Sequence, residues 1–344
     1  MPEPLPYLHL TRMTTRLGLY EHALGSAPRT EHGYCVDDAA RALVVTSRDP
    51  TGGDAAAALG GIYLNVLLGA LTPDGRMHNR RTGNGTWSDS PGTGDHWGRA
   101  VWALGVAAAR GHGSTAGRRA LAGARVAMRA RSRWPRSMAY AALGAAALLH
   151  AERPCVDGDV RDAAELVLRD ARSVLAGSFG TTAWPWPEQR LTYANAVIPE
   201  AMLVVAANAA DAASAGAALD LLAWLVRQQL VDGHLSVIPS RGRSPGGVGP
   251  GYAQQPIEVA ALAEAGWRAF LVTRDPGWIQ VVQECRGWFE GRNDLMQPMR
   301  DEQTGAGFDG LERHGPSLNQ GAESTLAWLS TLQLSLLART PVGR

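Results

Sequence analysis

The stretch His32-Gly33-Tyr34-Cys35-Val36-Asp37-Asp38 leads directly into an apolar run over residues 39–46, and the same kind of transition occurs five more times. Each time, a polar loop rich in glycine or tryptophan runs into a long apolar segment, and polar side chains cluster where that segment starts. We predict that each apolar segment belongs to a helix and that the six helices start near residues 37, 98, 137, 195, 255 and 320. The other five transitions are 94–99 before 100–109, 134–137 before 138–149, 184–195 before 196–207, 252–256 before 257–272, and 318–321 before 322–337.

Six amphipathic segments lie between these apolar segments and carry Arg, Asp and Glu on one face. A helix that is apolar all round is buried on both sides, whereas a helix with one charged face lies at the surface. The sequence therefore predicts twelve helices of two alternating kinds, an inner set and an outer set. The outer helices are expected at about residues 8–24, 54–71, 115–130, 158–175, 212–230 and 276–291.

The helical pairs recur about every 50–65 residues, a period that is typical of helical-hairpin arrays. An open solenoid also fits this period. A closed ring, however, gives the polar residues at the starts of the inner helices a common centre to face. We therefore predict an all-α fold, an (α/α)6 barrel with a polar mouth, formed by residues 1–344 as a single domain.

The composition argues against several classes of partner. The 344 residues carry a net charge of +1 without a block of like charges, which disfavours nucleic acid and anionic membranes. No run reaches the ~18 apolar residues of a membrane helix, and the start of the chain lacks a signal-peptide pattern. Cys35, Cys155 and Cys285 are odd in number and lack metal-binding spacing. We predict a soluble, cytoplasmic protein without a disulfide framework.

Two adjacent carboxylates, Asp37 and Asp38, begin the first inner helix. One interpretation is structural, because a carboxylate caps a helix and favours the positive end of its dipole. A cap needs one carboxylate, and Asp37 stands four residues before Arg41, a favourable helical pair. Asp38 is then left for a functional site. The same spacing recurs at Asp95 and Arg99 in the second transition.

Glu258 and Glu323 lie inside apolar inner helices, where a charge is costly unless it is paired or lines a polar cavity. Gln254 stands four residues before Glu258, and Asn319 and Gln320 stand four and three residues before Glu323. On a helix, side chains at these spacings share one face. We expect that face to point into the barrel. The alternative is a buried pair with an arginine of a neighbouring helix.

Eleven tryptophans against four phenylalanines are an unusual aromatic balance, and five of the tryptophans lie in loops or at helix starts on the mouth side. The flat apolar face of Trp, with a polar N–H at its edge, suits a sugar ring. The alternative is that these side chains only plug the rim. The five are Trp87, Trp97, Trp134, Trp184 and Trp186, of which we select Trp184 and Trp186 as substrate-binding residues.

Polar residues at the same mouth are further candidates for substrate binding. Two of them, His32 and His96, could also transfer protons. The candidates are His32, Tyr34, Asp95, His96, Arg99, Glu188, Tyr193, Asn195, Gln254, Gln255, Asn319 and Gln320.

Other chemistries lack their motifs in this chain. The sequence has no G-x-G-x-x-G after a strand and no P-loop, so no nucleotide cradle is visible. It also has no H-E-x-x-H, C-x-x-C or G-x-S-x-G motif. The adjacent aspartates lack the spacing of terpene cyclases, because Ala39, Ala40 and Arg41 follow Asp38. We therefore predict no cofactor and no metal.

Seven motifs run along nearly the whole chain. They are HGYCVDDAARAL at 32–43, GRMHN at 75–79, HWGRA at 96–100, WPW at 184–186, LTYANA at 191–196, QQPIE at 254–258 and NQGAES at 319–324. As a set they resemble the six-hairpin glycosidase superfamily, and more closely a group of bacterial proteins found beside or fused to glycosyltransferases. The resemblance implies an (α/α)6 fold, a carbohydrate ligand and a glycosyltransferase as a candidate partner. Where related sequences tend to have Asp, this chain has Ala194.

The motifs and the mouth residues together predict a glycoside hydrolase that cleaves an oligosaccharide with two carboxyl groups, one acting as acid and one as base or nucleophile. We expect Glu258 or Glu323 to be the acid, because an apolar setting raises a carboxyl pKa. Asp38 is the expected ionised partner, and Asp37 is a further catalytic candidate. The first alternative is a non-catalytic sugar-binding companion domain of a glycosyltransferase. The second is a sugar epimerase of the same fold, which needs two facing histidines.

Overall fold

The computed structural model describes residues 5–151, 156–176 and 180–339. This part of the chain contains twelve α-helices, and the even-numbered ones are the buried inner set. They begin within three residues of the predicted starts at 37, 98, 137, 195, 255 and 320. The helices are α1 Leu8–Met13, α2 Val36–Ser47, α3 Asp54–Ala70, α4 Asp95–Arg110, α5 Thr115–Ala127, α6 Pro135–Leu149, α7 Gly158–Leu175, α8 Val197–Asn208, α9 Ala212–Arg227, α10 Pro256–Thr273, α11 Gly277–Phe289 and α12 Ala322–Leu337.

Contacts between successive inner helices close a ring. The helix α2 packs on α4, α4 on α6, α6 on α8, α8 on α10, α10 on α12, and α12 returns to α2. The outer helices α3, α5, α7 and α9 lie against α2, α4, α6 and α8 in turn, and α11 lies against α10 and α12. The closed ring excludes an open solenoid and confirms the (α/α)6 barrel.

The first outer helix is shorter than predicted. The segment 8–24 was expected to be helical throughout, but α1 ends at Met13. The β-branched residues Thr14 and Thr15 follow and favour an extended backbone. Gly18 has a φ of +144°, which a helix does not accommodate. Hairpins therefore replace the predicted helix beyond Met13.

All strands of the described residues belong to short two-stranded antiparallel ladders. The pairs are β1 with β2, β3 with β4, β5 with β6, β7 with β8 and β9 with β10. A single turn of 3-10 helix, Thr30–His32, precedes β5. The strands are β1 Thr14–Thr15, β2 Gly18–Leu19, β3 Ala23–Leu24, β4 Ala27–Pro28, β5 Tyr34–Cys35, β6 Arg80–Arg81, β7 Leu230–Val231, β8 His234–Leu235, β9 Gly310–Glu312 and β10 Gly315–Ser317.

Glycines let the backbones of α4 and α6 touch. A Cβ atom placed on Gly98 would lie 2.2 Å from the carbonyl oxygen of Ser137. At Gly105 it would lie 2.3 Å from the carbonyl oxygen of Gly144, and at Gly144 it would lie 2.3 Å from that of Val101. No side chain fits at these three points, so the glycines set the separation of the two helices.

No helix in the described part of the chain is long and apolar enough to cross a membrane. Cys35 and Cys285 are buried free thiols. Cys155 lies outside the described residues.

Candidate active site

A cavity of about 820 Å³ opens where the inner helices begin. Residues from the first turns of α2, α4, α6, α10 and α12 line it, as expected for parallel inner helices whose N-termini meet at one end. The lining is strongly charged. It includes the carboxyl groups of Glu21, Asp37, Asp38, Asp95, Glu188, Asp309 and Glu323 and the guanidinium groups of Arg41, Arg80, Arg99 and Arg136.

Arg41 joins two of these carboxyl groups. Its Nη1 donates to Asp38 Oδ1 at 2.6 Å, and its Nη2 donates to Glu323 Oε2 at 2.8 Å. The Asp38 side chain is 4% exposed and the Glu323 side chain is 41% exposed. The sequence predicted that Arg41 would pair with Asp37, which was wrong. Arg41 instead pairs with Asp38, three residues before it in the helix, so Asp38 has an ion-pair partner.

Asp37 pairs with the second helix of the inner ring. Its Oδ1 accepts from Arg99 Nη1 at 2.6 Å, and its Oδ2 accepts from Asn79 Nδ2 at 3.1 Å. Burial opposes ionisation of Asp37, but the charges of Arg99 and Arg41 outweigh burial and lower the pKa to about 2. Asp37 is therefore a carboxylate at neutral pH.

Asp95 belongs to the same network. Arg99 Nη2 lies 3.6 Å from Asp95 Oδ2, so the predicted pair at this spacing is confirmed. The hydroxyl of Tyr193 donates to the same carboxylate at 2.7 Å. The Arg99 guanidinium also lies over the ring of Tyr140, 4.8 Å from its centroid. These contacts hold Arg99 between Asp37 and Asp95.

Asp38 differs from Asp37 in its pKa. Burial raises the pKa of Asp38 to about 7, and the nearby carboxylates of Glu323 and Asp37 add to the rise while Arg41 opposes it. The raised pKa argues against the expectation that Asp38 is the ionised partner. The reason is that the side chain is almost fully enclosed, which penalises its charged form more than one arginine compensates.

Glu258 lies behind the wall of the cavity rather than on it. Its side chain is 2% exposed and is absent from the cavity lining. Its Oε1 accepts from Asn195 Nδ2 at 2.7 Å, and its Oε2 accepts from the Asn195 backbone N–H at 3.2 Å. Burial raises its pKa to about 7, although the Asn195 hydrogen bonds and Arg136 oppose the rise. The pKa of Glu258 is raised, as the sequence predicted. Its side chain does not line the cavity, which differs from the prediction.

Asn195 and Glu188 hold Arg136 at the wall. The Arg136 guanidinium donates to both carboxylate oxygens of Glu188, at 2.7 and 2.9 Å, and to Asn195 Oδ1 at 3.2 Å. It also lies 4.9 Å from the ring centroid of Tyr193. Glu188 and Tyr193 line the cavity as predicted, whereas Asn195 is fully buried and supports them from behind.

The tryptophan at the cavity is Trp134, which is 53% exposed. Trp184 and Trp186 do not line the cavity, contrary to expectation, because both pack against Trp224 of the outer helix α9. Trp97 is fully buried and donates its indole N–H to the Ala127 carbonyl at 3.0 Å. Trp184, Trp186 and Trp97 therefore belong to the packing of the barrel.

The amides expected to share a helix face with the glutamates lie elsewhere. Because α10 begins at Pro256 and α12 at Ala322, Gln254, Asn319 and Gln320 precede the helices, and helical spacing does not apply to them. Gln254 accepts from the indole N–H of Trp288. Asn319 Oδ1 accepts from the Gly25 N–H, and Gln320 Nε2 donates to Asp301. Of the four predicted amides near these helices, Gln255 alone lines the cavity.

Two predicted residues in the first transition also lie outside the cavity lining. Tyr34 is buried, stacks on Tyr20 at 4.5 Å and hydrogen-bonds Thr15. His32 is exposed and contacts the edge of His22 at 5.1 Å. His96 lines the cavity as predicted. His22 also lines it, although it was not predicted from the sequence.

Several lining residues were missed from the sequence. Arg41 was interpreted as a partner of Asp37 rather than as a site residue. Arg136 lies in the transition 134–137 and Asn79 in the motif 75–79, but neither was selected. Asp309 lies in a loop and accepts from the Gly321 N–H at 2.8 Å and from the Ser324 hydroxyl. The sequence gives no sign that Asp309 is a site residue, because it does not stand at the start of a predicted helix. Arg136 and Asn79 could have been selected, because they lie in segments already identified from the sequence.

One group of side chains at the cavity has a geometry that a metal ion could use. Potential ligand atoms of Glu21, Cys35 and Asp38 lie within 4.8 Å of one another. However, Glu21 is paired with Arg80 and Asp38 with Arg41. Burial, with Asp37 and Asp38 nearby, also raises the pKa of the Cys35 thiol, which disfavours the thiolate that binds metals. The donor set does not fit a metal centre.

Several solved structures similar to this chain belong to proteins that are named as carbohydrate enzymes. A sugar epimerase from a ruminal bacterium matches with a TM-score of 0.71 and 12% identity, over 98% of this chain and 96% of its own. The cellobiose 2-epimerase of Spirochaeta thermophila matches with a TM-score of 0.66 and 13% identity, over 97% and 94%. The cellulase Cel9M of C. cellulolyticium, solved with cellobiose, matches with a TM-score of 0.60 and 9% identity, over 93% and 87%.

The chain has the fold of the six-hairpin glycosidase superfamily. No family model and no curated protein matches the sequence. The six-hairpin fold therefore rests on the closed ring of helices and on these structural matches. Structures named as epimerases and as glycosidases both have this fold, so the fold alone assigns no activity to this chain.

Proposed function

We propose that this six-hairpin protein is a glycoside hydrolase in which Asp38 is the general acid and Glu323 is the base or nucleophile. Hydrolysis of a glycosidic bond needs one protonated and one ionised carboxyl group on either side of the scissile bond. Asp38 Oδ1 accepts from Arg41, which leaves Oδ2 to carry the proton. Glu323, with a side chain 41% exposed, is open to a ligand in the cavity.

The observation that carries the proposal is the shared contact with Arg41. Both carboxyl groups contact one guanidinium, which brings them close to each other at the cavity. Retaining glycosidases use carboxyl separations of about 5–5.5 Å and inverting ones about 6.5–9.5 Å. The roles differ from the sequence expectation in two ways, since Asp38 takes the place of Glu258 or Glu323 as the acid and is no longer the ionised partner.

The proposed substrate is an oligosaccharide without acidic groups. Seven carboxyl groups and four arginines line the cavity, and an excess of negative charge disfavours an anionic ligand. Trp134 and Tyr193 are 53% and 42% exposed and lie at the same cavity, where their rings can stack on sugar faces.

A sugar epimerase is the second candidate, and two histidines favour it. His22 and His96 both line the cavity, and epimerisation next to a carbonyl needs groups that remove and return a proton on opposite faces of the sugar. The structural matches named as epimerases add support. His96 is partly committed elsewhere, because its Nε2 hydrogen-bonds the Met77 carbonyl at 3.0 Å.

One experiment separates the two candidates. Purified protein is incubated in deuterium oxide with manno-, gluco- and galacto-oligosaccharides, and the products are analysed by chromatography and mass spectrometry. A hydrolase releases shorter sugars without deuterium at carbon. An epimerase keeps the chain length and introduces one deuterium at the carbon next to the carbonyl. Sugar binding without either product across the panel would contradict both and favour a companion domain of a glycosyltransferase.

A further inference from the structure

A second cavity lies at the opposite end of the barrel from the candidate active site. Its volume is about 600 Å³, and residues at the carboxyl ends of four inner helices, α4, α6, α8 and α10, line it. Arg48, which directly follows α2, lines it as well. We call this the rear cavity. It shares no lining residue with the candidate active site.

The rear cavity is lined by positive charge. Its ionisable lining residues within the described ranges are Arg48, Arg110, Arg268, His112 and His150, and none of them is acidic. Arg48 is neutralised, because its Nη1 donates to both oxygens of Glu264 at 2.6 and 2.8 Å. Arg110 and His112 are exposed and make no side-chain hydrogen bond or ion pair with the described residues.

Arg268 is the most informative of these residues. Its Nε is buried and has no hydrogen-bond partner among the described residues. The nearest carboxyl group belongs to Glu200, with Oε1 at 3.8 Å. Burial, together with the adjacent Glu264, raises the pKa of Glu200 to about 7 although Arg268 and Arg48 oppose the rise, so Glu200 is only partly ionised at neutral pH. Arg268 therefore faces the rear cavity with its charge incompletely compensated.

Helix dipoles account for only part of this arrangement. The carboxyl end of a helix attracts cations, which explains Arg48 after α2 and Arg110 in the last turn of α4. The dipole effect fades beyond the last turn. Arg268 stands five residues before the end of α10 at Thr273, so a dipole does not explain its position. A bound anion would compensate the charge of the Arg268 guanidinium.

We propose that the rear cavity binds a small phosphorylated molecule, with its phosphoryl group held by Arg268 and Arg110. Guanidinium groups bind phosphate oxygens through charge-assisted hydrogen bonds. The volume exceeds that of a phosphate ion and falls in the range of small-molecule sites, about 300–1,000 Å³. An apolar part of the wall, formed by Val106, Val204 and Val272, gives the uncharged body of the ligand a surface to pack against.

The test is isothermal titration calorimetry of the full chain with inorganic phosphate, glucose 6-phosphate and uncharged glucose. Saturable binding of a phosphorylated ligand is expected, without binding of glucose at the same site. Arg110→Gln and Arg268→Gln should each weaken binding at least about tenfold, the loss of one charge-assisted hydrogen bond. Glucose 6-phosphate binding more tightly than phosphate identifies an organic phosphate, and equal affinities identify the free anion.

Arg227→Gln is the matched control. Arg227 is exposed and ends the outer helix α9, so it shares with Arg110 a position in a last helical turn but is not part of the rear cavity. Its substitution should leave phosphate affinity unchanged. The proposal is overturned if the wild type shows no saturable binding, or if affinity survives both cavity substitutions. Arg110 is exposed, so its variant decides the matter even if Arg268→Gln fails to fold.

Discussion

Asp38 and Glu323 lie on different inner helices, 285 residues apart in the chain, and hydrogen-bond the same guanidinium, that of Arg41. This contact joins α2 to α12, the two helices that close the ring. The one carboxyl group is almost fully enclosed and the other is open to the cavity. One arginine therefore links the first and last inner helices and joins the two carboxyl groups of the proposed catalytic pair.

The first prediction concerns this pair. Asp38→Asn and Glu323→Gln keep the size of each side chain but remove its ionisable group, so each should lower kcat by about 10² to 10⁴-fold. The measurement is release of reducing ends from the oligosaccharide that the wild type cleaves, with sugar binding followed by calorimetry. Glu302→Gln, at a side chain 78% exposed, is the control and should be neutral. Full turnover in both site variants would refute the assignment.

The second prediction is a fall in activity above about pH 7. The pKa of Asp38 is raised to about 7, and a general acid loses its proton, and with it the activity, as the pH passes its pKa. Because Arg41 opposes this rise, Arg41→Gln should move the alkaline limb to higher pH in whatever activity it retains. The measurement is kcat/KM between pH 5 and pH 9. A limb that stays at the same pH in Arg41→Gln would argue that another group causes it.

The third prediction concerns Glu258 and stability. In the folded chain its pKa is raised from 4.5 to about 7, so the folded state binds more protons than the unfolded state between these values. The free energy of unfolding should therefore fall as the pH rises through this window, by the order of 3 kcal/mol from this residue. Glu258→Gln should remove that part of the slope. Urea denaturation at pH 4.5 and pH 7.5 measures it.

Activity separates the two roles considered for Glu258. If it only supports Asn195, Glu258→Gln changes the pH dependence of stability while kcat at pH 7 stays near that of the wild type. An unchanged stability slope together with a loss of kcat near 10²-fold or more would restore Glu258 as the catalytic acid. Asp38→Asn serves as the comparison, because it should lower kcat in addition to reducing the slope.

Glu258 and Glu323 also show how far the sequence could predict the site. Both follow amides and stand near the start of an apolar helix, so their patterns look alike. Glu258 is the third residue of α10, and Glu323 is the second residue of α12. Since 3.6 residues make one turn, one residue rotates a side chain by about 100°. A helix start predicted to within three residues fixes the fold but leaves the direction of each side chain open.

The ion-pair partners could not be predicted from the sequence for a different reason. The pairs Asp37 with Arg99 and Arg41 with Glu323 join residues on neighbouring helices, and the choice among several arginines depends on three-dimensional packing. The helical segments were predictable because their apolar periodicity is local. The hairpins after Met13 were missed because the amphipathic pattern of 8–24 continues through residues whose backbone is not helical.

The fourth prediction tests the close contact between α4 and α6. Gly105→Ala would place a Cβ 2.3 Å from the Gly144 carbonyl oxygen, so the helices must separate, and overpacking of this kind costs about 1–3 kcal/mol. Gly216→Ala, in the outer helix α9, meets no atom within 4 Å and should stabilise the protein by about 0.5–1 kcal/mol, because alanine favours the helix. Urea denaturation of both variants measures the change in the free energy of unfolding, which should be a loss for Gly105→Ala and a gain for Gly216→Ala. Equal effects would mean that helix propensity alone acts at Gly105, and the glycines would then not set the distance between α4 and α6.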